Sequence, residues 1–293
     1  PPGPTIDRTT MTAIVQDRYG SAPEGLFRLV EIDRPVVGDG EALVRVHAAS
    51  VDRGTWHIMS GLPYPIRLAG FGLRRPKYAN PGRNLAGTVE AVGADVAGFA
   101  PGDEVFGMST STFAEYATAR ADKLSLKPAN ISFDEAAAVP VSGGTALQAV
   151  RDHGRVRAGE KVLIIGASGG VGSFAVQIAK AFGAEVTGVC STGKVDMVRA
   201  LGADDVLDYT RADFADGGSR LAAAAEELGR REMQQIVPAD ALHAPARIGH
   251  DAAQDLFDRL LRLRRMARAQ VAQVEIADQP LELAVILHLR FAV

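Results

Sequence analysis

The clearest chemistry in this chain sits in Gly166-Ala167-Ser168-Gly169-Gly170-Val171-Gly172, directly after the apolar run Val162-Leu163-Ile164-Ile165. Glycines so placed let the backbone turn tightly and approach a diphosphate, whose charge rests on free N–H groups at a helix N-terminus. A glycine triplet alone says little, but between an apolar strand and an amphipathic helix it points to a dinucleotide. Ser168, Gly169, Gly170, Val171 and Gly172 are therefore candidate binding residues; the competing reading is a purely structural strand-to-helix turn. The next strand-like run ends in Cys190-Ser191-Thr192-Gly193-Lys194, without the acid that usually takes the ribose 2′-hydroxyl. A hydroxyl and an ammonium suit a 2′-phosphate. Ser191, Lys194 and the phenol of Tyr209 are expected to select NADP(H) over NAD(H), the alternative for Lys194 being a solvated helix start.

Elements must hold these groups in place. The strand 161–165, a helical pattern carrying Phe174, Val176, Ile178, Ala179 and Phe182, and the strand 185–190 make a β-α-β unit. Upstream, residues 11 to about 125 form short β runs, such as Ala42–His47, Ala86–Val92 and Glu104–Phe106, parted by Gly-Asp-Gly and Pro-Gly breakers. The first run is Thr12–Gln16, and residues 1–10 are expected to be a disordered leader or an upstream extension. Ser132-Phe133-Asp134-Glu135 has the spacing of a helix-capping box, and Thr145 to Val150 predicts a further helix.

Bulk properties narrow the classes of function. The chain has 293 residues and a net charge of −3, with no electrostatic footprint for nucleic acid. No apolar run is long enough to span a bilayer, so neither nucleic acid nor membrane is an expected partner. A single cysteine, Cys190, excludes an intramolecular disulfide and a multi-cysteine zinc site, and suggests a cytoplasmic location.

Several further segments carry a resemblance. Ala49-Ser50-Val51-Asp52, the run from Pro81 to Gly93, Phe99 to Gly107, Phe113 to Tyr116, Ala136 to Pro140 with Thr145-Ala146, and the glycine loop occur in order. From about Thr12 to Asp216 the chain resembles the medium-chain dehydrogenase/reductase superfamily, in its zinc-free quinone-oxidoreductase-like branch. The resemblance implies an α/β protein: a GroES-like β-barrel domain over residues 11–130, then a Rossmann-type doubly wound domain whose nucleotide-binding half covers 131–220. It implies an active site in a cleft between them and hydride transfer from NADPH to a quinone-, enone- or carbonyl-type small molecule. His57 falls near a polar, substrate-facing position and is the catalytic candidate, with an ordinary packed or surface histidine as the alternative. Trp56 is a cleft wall or a core ring. Thr145 either contacts the nicotinamide side or caps its helix. Ser50 stands about where zinc-dependent members have a cysteine, and Arg83-Asn84 replaces their His-Glu pair. His47, His57, His153, His243, His250 and His288 show no ligand spacing, so no metal is expected. Members often dimerise, and a homodimer is possible.

After about Arg220 the resemblance stops, and with it the glycines: of 31, only Gly229 and Gly249 follow. The second half of the Rossmann domain is not recognisable. Residues 221–293 make an atypical, mainly helical tail, with helices at 221–237 and 251–269. The second sets Leu256, Phe257, Leu260, Leu261, Leu263 and Met266 against five arginines, as a packed helix with a solvated face or a surface-binding one. Leu281 to Val293 forms a strand or a helix end. A frameshift, a gene-model error or a replaced C-terminus accounts for the break, testable by translating beyond codon 220 in the other frames. Two functions follow: an NADPH-dependent, zinc-free oxidoreductase, or a non-catalytic NADPH-binding remnant or sensor. A zinc-type alcohol dehydrogenase is the third and least supported.

Overall fold

Alternating burial of Met11 and Ala13 marks Thr10–Val15 (β1) as a strand with one inward face, and it pairs antiparallel with Arg28–Asp33 (β2), Thr10 opposite Asp33. A computed structural model describes residues 9–22, 24–211 and 286–287 of the chain, which fall into two units parting between Val141 and Ser142. Thr10 already belongs to β1, and the Thr9 carbonyl accepts from the Arg34 N–H at 2.8 Å, so ordered structure begins before the expected boundary at residue 11.

The first unit continues with β3 (Glu41–Ser50), α1 (Arg53–Ser60), β4 (Asn84–Val92), β5 (Glu104–Met108), β6 (Tyr116–Arg120), β7 (Leu124–Leu126) and α2 (Phe133–Ala137). β3 is the spine of an antiparallel sheet: it pairs with β4 on one side and with β6 on the other, and β4 leads on to β5 and β7. Register shifts at Leu43/Val44 and Val46/Ala48 bend the β3–β4 pair, as bulges do. The curled sheet closes over Val44, Leu85, Val89, Val105 and Phe113. The helix α1 has no counterpart in the sequence reading. Asp52 starts it by accepting from the Thr55 N–H at 2.7 Å, and Gly61 ends it at φ +64, donating to the His57 carbonyl at 2.8 Å. At α2 the expected capping box is present in full. The Ser132 hydroxyl accepts from the Glu135 N–H, and the Glu135 carboxylate accepts from the Ser132 N–H.

Next comes α3 (Pro140–Leu147), which runs on as a wider helical turn over Gln148–His153. The helix expected from Thr145 therefore begins at Pro140, where a missing N–H costs nothing in a first turn. Thr145 lies inside α3 and is not its cap, which corrects that alternative.

In the second unit β8 (Lys161–Ile165), α4 (Gly170–Ala181), β9 (Glu185–Cys190), α5 (Val195–Ala200) and β10 (Asp205–Asp208) follow in order. The three strands are parallel in the order β10-β9-β8, with Lys161 opposite Glu185 and Asp208 opposite Cys190. That is the 3-2-1 arrangement of one mononucleotide-binding half of a Rossmann fold. Val162, Ile164, Val176, Ile178, Val186 and Val198 form its core. Finally β11 (Ile286–Leu287) returns to the first unit and pairs antiparallel with Ala49 and Ser50 of β3. The run 281–293 thus contributes a strand at those two residues. The expected helices at 221–237 and 251–269, and the second Rossmann half, lie outside the described residues.

Candidate functional site

Gly166 leaves β8 at φ +74, a conformation that side chains resist. The N–H groups of Gly166 and Ala167 both donate to the Val189 carbonyl, at 3.1 and 3.0 Å, folding the loop back against β9. The Gly169 N–H closes the turn on the Gly166 carbonyl at 2.9 Å, and the Ser173 N–H makes the first bond of α4, to the Gly169 carbonyl, at 2.9 Å. Ahead of that bond lie the N–H groups of Gly170, Val171 and Gly172. Among the described residues no side chain caps α4, and its first turn holds no acid, so these donors and the helix dipole are available to an anion. A Cβ on Gly172 would lie 2.1 Å from the Gly166 carbonyl oxygen and 2.9 Å from Ala167 Cα. The glycines therefore act differently: Gly166 makes the turn, Gly169 and Gly170 leave the backbone bare, and Gly172 lets the helix pack on the loop. Ser168 is half-buried in the same bend.

Parallel strands end on one side, so the tip of β9 and the tip of β10 share an edge with this loop. There the Lys194 N–H donates to the Ser191 carbonyl at 2.9 Å, shaping a short turn, and the Tyr209 N–H donates to the Cys190 carbonyl at 3.1 Å. Tyr209 is 51% exposed and Lys194 is exposed, and neither side chain has an ion pair or hydrogen bond among the described residues. Cys190 is buried; burial first, and then the charge of Asp208, push its thiol pKa up, which leaves it an inert core residue.

Two residues at this edge escaped the sequence reading. Asp208, opposite Cys190, accepts from the Thr192 and Thr210 hydroxyls at 2.6 Å each, and those bonds hold its carboxyl below the usual range. The signal was available: Val206-Leu207-Asp208-Tyr209 reads as a strand, and its tip must lie beside that of β9. Ser142 of α3 is the other, its hydroxyl 3.1 Å from where a Gly170 Cβ would stand. Thr145 follows one helical step on, at the i+3 spacing that shares a face with Ser142, and is half-buried.

The first unit holds a separate polar cluster. The Ser50 hydroxyl donates to the Ala137 carbonyl at 2.8 Å. Asn84 donates from Nδ2 to Asp52 at 2.8 Å and accepts at Oδ1 from the Val141 N–H at 3.1 Å. The side chains of Ser50 and Asn84 are thus engaged in tying elements of the first unit together. Among the described residues, no group of three or more His, Cys, Asp or Glu is placed to hold a metal ion. His57 sits half-buried on α1, with Nδ1 2.5 Å from the Leu62 carbonyl. A carbonyl accepts only, so Nδ1 carries the proton and Nε2 is the nitrogen left for other work. Trp56 packs edge-on against the His57 ring at 5.2 Å and lies under the Arg53 guanidinium at 4.3 Å.

Two family profiles match the chain: the alcohol dehydrogenase GroES-like domain over residues 38–130 and the zinc-binding dehydrogenase family over 170–230. A chloroplastic quinone-oxidoreductase, QR1, from Triphysaria versicolor is 36% identical over 215 residues, covering 70% of this chain and 63% of that protein. The quinone oxidoreductase of Coxiella burnetii superposes with a TM-score of 0.63 at 32% identity, over 72% of this chain and 66% of that one. A mycobacterial protein complexed with NADPH gives a TM-score of 0.60 at 28% identity, over 75% and 64%. The chain spans between about half and two-thirds of the length of the curated relatives it matches.

Proposed function

Because the chain belongs to the medium-chain dehydrogenase/reductase superfamily, in its quinone-oxidoreductase-like branch, we propose that it is an NADPH-dependent, zinc-free oxidoreductase acting on a quinone-, enone- or carbonyl-type small molecule. The observation that carries this reading is the uncapped start of α4, with Gly172 pressed against Gly166 and three N–H groups that meet no acceptor among the described residues. Those donors fit a diphosphate, and a methyl group at Gly172 would push the start of α4 off the bend that presents them. The exposed Lys194 ammonium and the Tyr209 and Ser191 hydroxyls fit a 2′-phosphate. Asp208 is the carboxylate at the tip of the neighbouring strand β10. Its oxygens already accept from Thr192 and Thr210, which supports the phosphate reading.

Bound NADPH supplies the hydride. The chain's part is to hold the diphosphate at α4, to grip the 2′-phosphate at the β9–β10 edge, and to donate a proton or hydrogen bond to the reduced oxygen. For that last role we assign His57. With Nδ1 committed to Leu62, a neutral ring offers only a lone pair at Nε2, so His57 donates from Nε2 solely as the imidazolium. The hydroxyl of Ser50 and the amide of Asn84, engaged as they are, favour chemistry without a metal ligand set.

Fluorescence titration with NADPH and NADH tests the assignment. Lys194→Ala should weaken NADPH binding by about tenfold or more, the value of a charge-assisted hydrogen bond, and leave NADH binding within about twofold. Equal losses overturn the cofactor assignment. Turnover with a panel of small quinones then separates the enzyme from a non-catalytic NADPH-binding protein, since the latter binds without oxidising the coenzyme.

A further inference from the structure

Between Asp52 and Glu90 the chain carries Arg53, Arg67, Arg74, Arg75, Lys77 and Arg83 and no acidic residue, against an overall charge of −3. Within that stretch Tyr64, Leu68 and Leu73 are exposed to 68, 77 and 62%. They stand on a built protrusion. The Lys77 N–H donates to the Phe71 carbonyl at 2.7 Å, and Gly72, at φ +105, approaches Arg75 so closely that a Cβ would lie 2.1 Å from its carbonyl oxygen. Leu73, Arg74 and Arg75 are thereby held at the tip of a tight loop. The Tyr19 hydroxyl donates to the Phe71 carbonyl at 2.8 Å, and Arg67 lies over the Tyr19 and Tyr64 rings at 4.3 and 4.8 Å, fastening the loop at its base.

We propose that this protrusion, Tyr64 to Tyr78, docks the protein on the surface of an anionic lipid bilayer. Single exposed leucines are ordinary, but exposed leucines and a tyrosine in a stretch whose charged side chains are all basic make the amphipathic pattern of an interfacial segment. The basic side chains suit anionic headgroups and the leucines reach the acyl boundary. A nucleic acid or an acidic polypeptide would satisfy the arginines and leave Leu68 and Leu73 in water, which is why the bilayer is the better fit. Docking is on the surface: among the described residues no helix is long and apolar enough to cross a membrane. The inference stands independently of the proposed reduction chemistry.

The test is flotation of the full chain with vesicles of phosphatidylcholine alone or enriched in phosphatidylglycerol, at low and high salt. Binding is expected only to the anionic vesicles and should fade at high salt. Arg74→Gln with Arg75→Gln should weaken it about thirtyfold, from the attraction of two basic residues to the surface. Leu73→Asp should weaken it about tenfold or more, with an unchanged thermal melt because the side chain is exposed. Equal binding to neutral vesicles, or full binding by folded Leu73→Asp, overturns the proposal. So does binding to heparin or polyglutamate that matches the vesicles and ignores Leu73→Asp, which would assign the arginines to a soluble polyanion.

Discussion

One methyl group distinguishes a working α4 start from a blocked one. Gly172→Ala places Cβ 2.1 Å from the Gly166 carbonyl oxygen, and both flanking atoms belong to backbone, so the loop itself must move. The expected cost is about 1–3 kcal/mol of stability, typical of overpacking, together with loss of dinucleotide binding. Gly193→Ala is the control: it meets open space and should change stability by less than about 0.5 kcal/mol. Chemical denaturation of the two variants beside the parent decides the matter, and equal effects would show that close packing is not the role of Gly172. The residue types at this bend were readable in advance, because glycine spacing is local. Asp208 was less so: its importance comes from standing opposite Cys190 across a strand pair.

Elements are joined by a few well-placed polar groups. Lys180, at the end of α4, reaches both oxygens of Asp204 at 2.7 Å, and Asp204 also accepts from the Val186 N–H at the start of β9. Burial raises the Asp204 pKa, but the bonds from Lys180 and Val186 outweigh it and hold the carboxyl below its ordinary value. A depressed carboxyl lends stability above its unfolded pKa, near about 4, and that contribution is lost as pH falls through the folded value. Asp204→Asn should therefore lower the melting temperature at neutral pH and flatten the loss of stability below about pH 4, read by thermal melts across that range. Ser132→Ala removes one half of the capping box of α2 and should cost about 1 kcal/mol in denaturant unfolding. That box was visible as a spacing of residues. The start of α3 was not, because Gly143 and Gly144 speak against a helix locally, and burial of both glycines against neighbours reverses the preference.

At the scale of the molecule, each unit has its own core. Leu85 is fully buried in the first and Ile178 in the second, and their clusters share no residue. Leu85→Ala and Ile178→Ala should each cost about 2–5 kcal/mol, and the double variant should lose close to the sum. A coupling well above about 0.5 kcal/mol in denaturant unfolding would show that the cores are not independent.

Strand 161–165, the bend after it, strand 185–190 and the capping box at Ser132 could all be read from the chain alone, since each depends on neighbours a few residues away. The β-rich first part and the β-α-β unit were legible for the same reason, through turn-forming breakers in one and the strand–glycine–helix order in the other. Folding was needed to show that Ser50 spends its hydroxyl on Ala137, that Ser142 stands beside Gly170, and that Leu68 and Leu73 remain in water. It was also needed to bring Ile286 and Leu287 back to β3. Those facts depend on register and packing between segments far apart in sequence, where hydrophobic pattern and residue type leave many pairings equal and only the assembled core selects one.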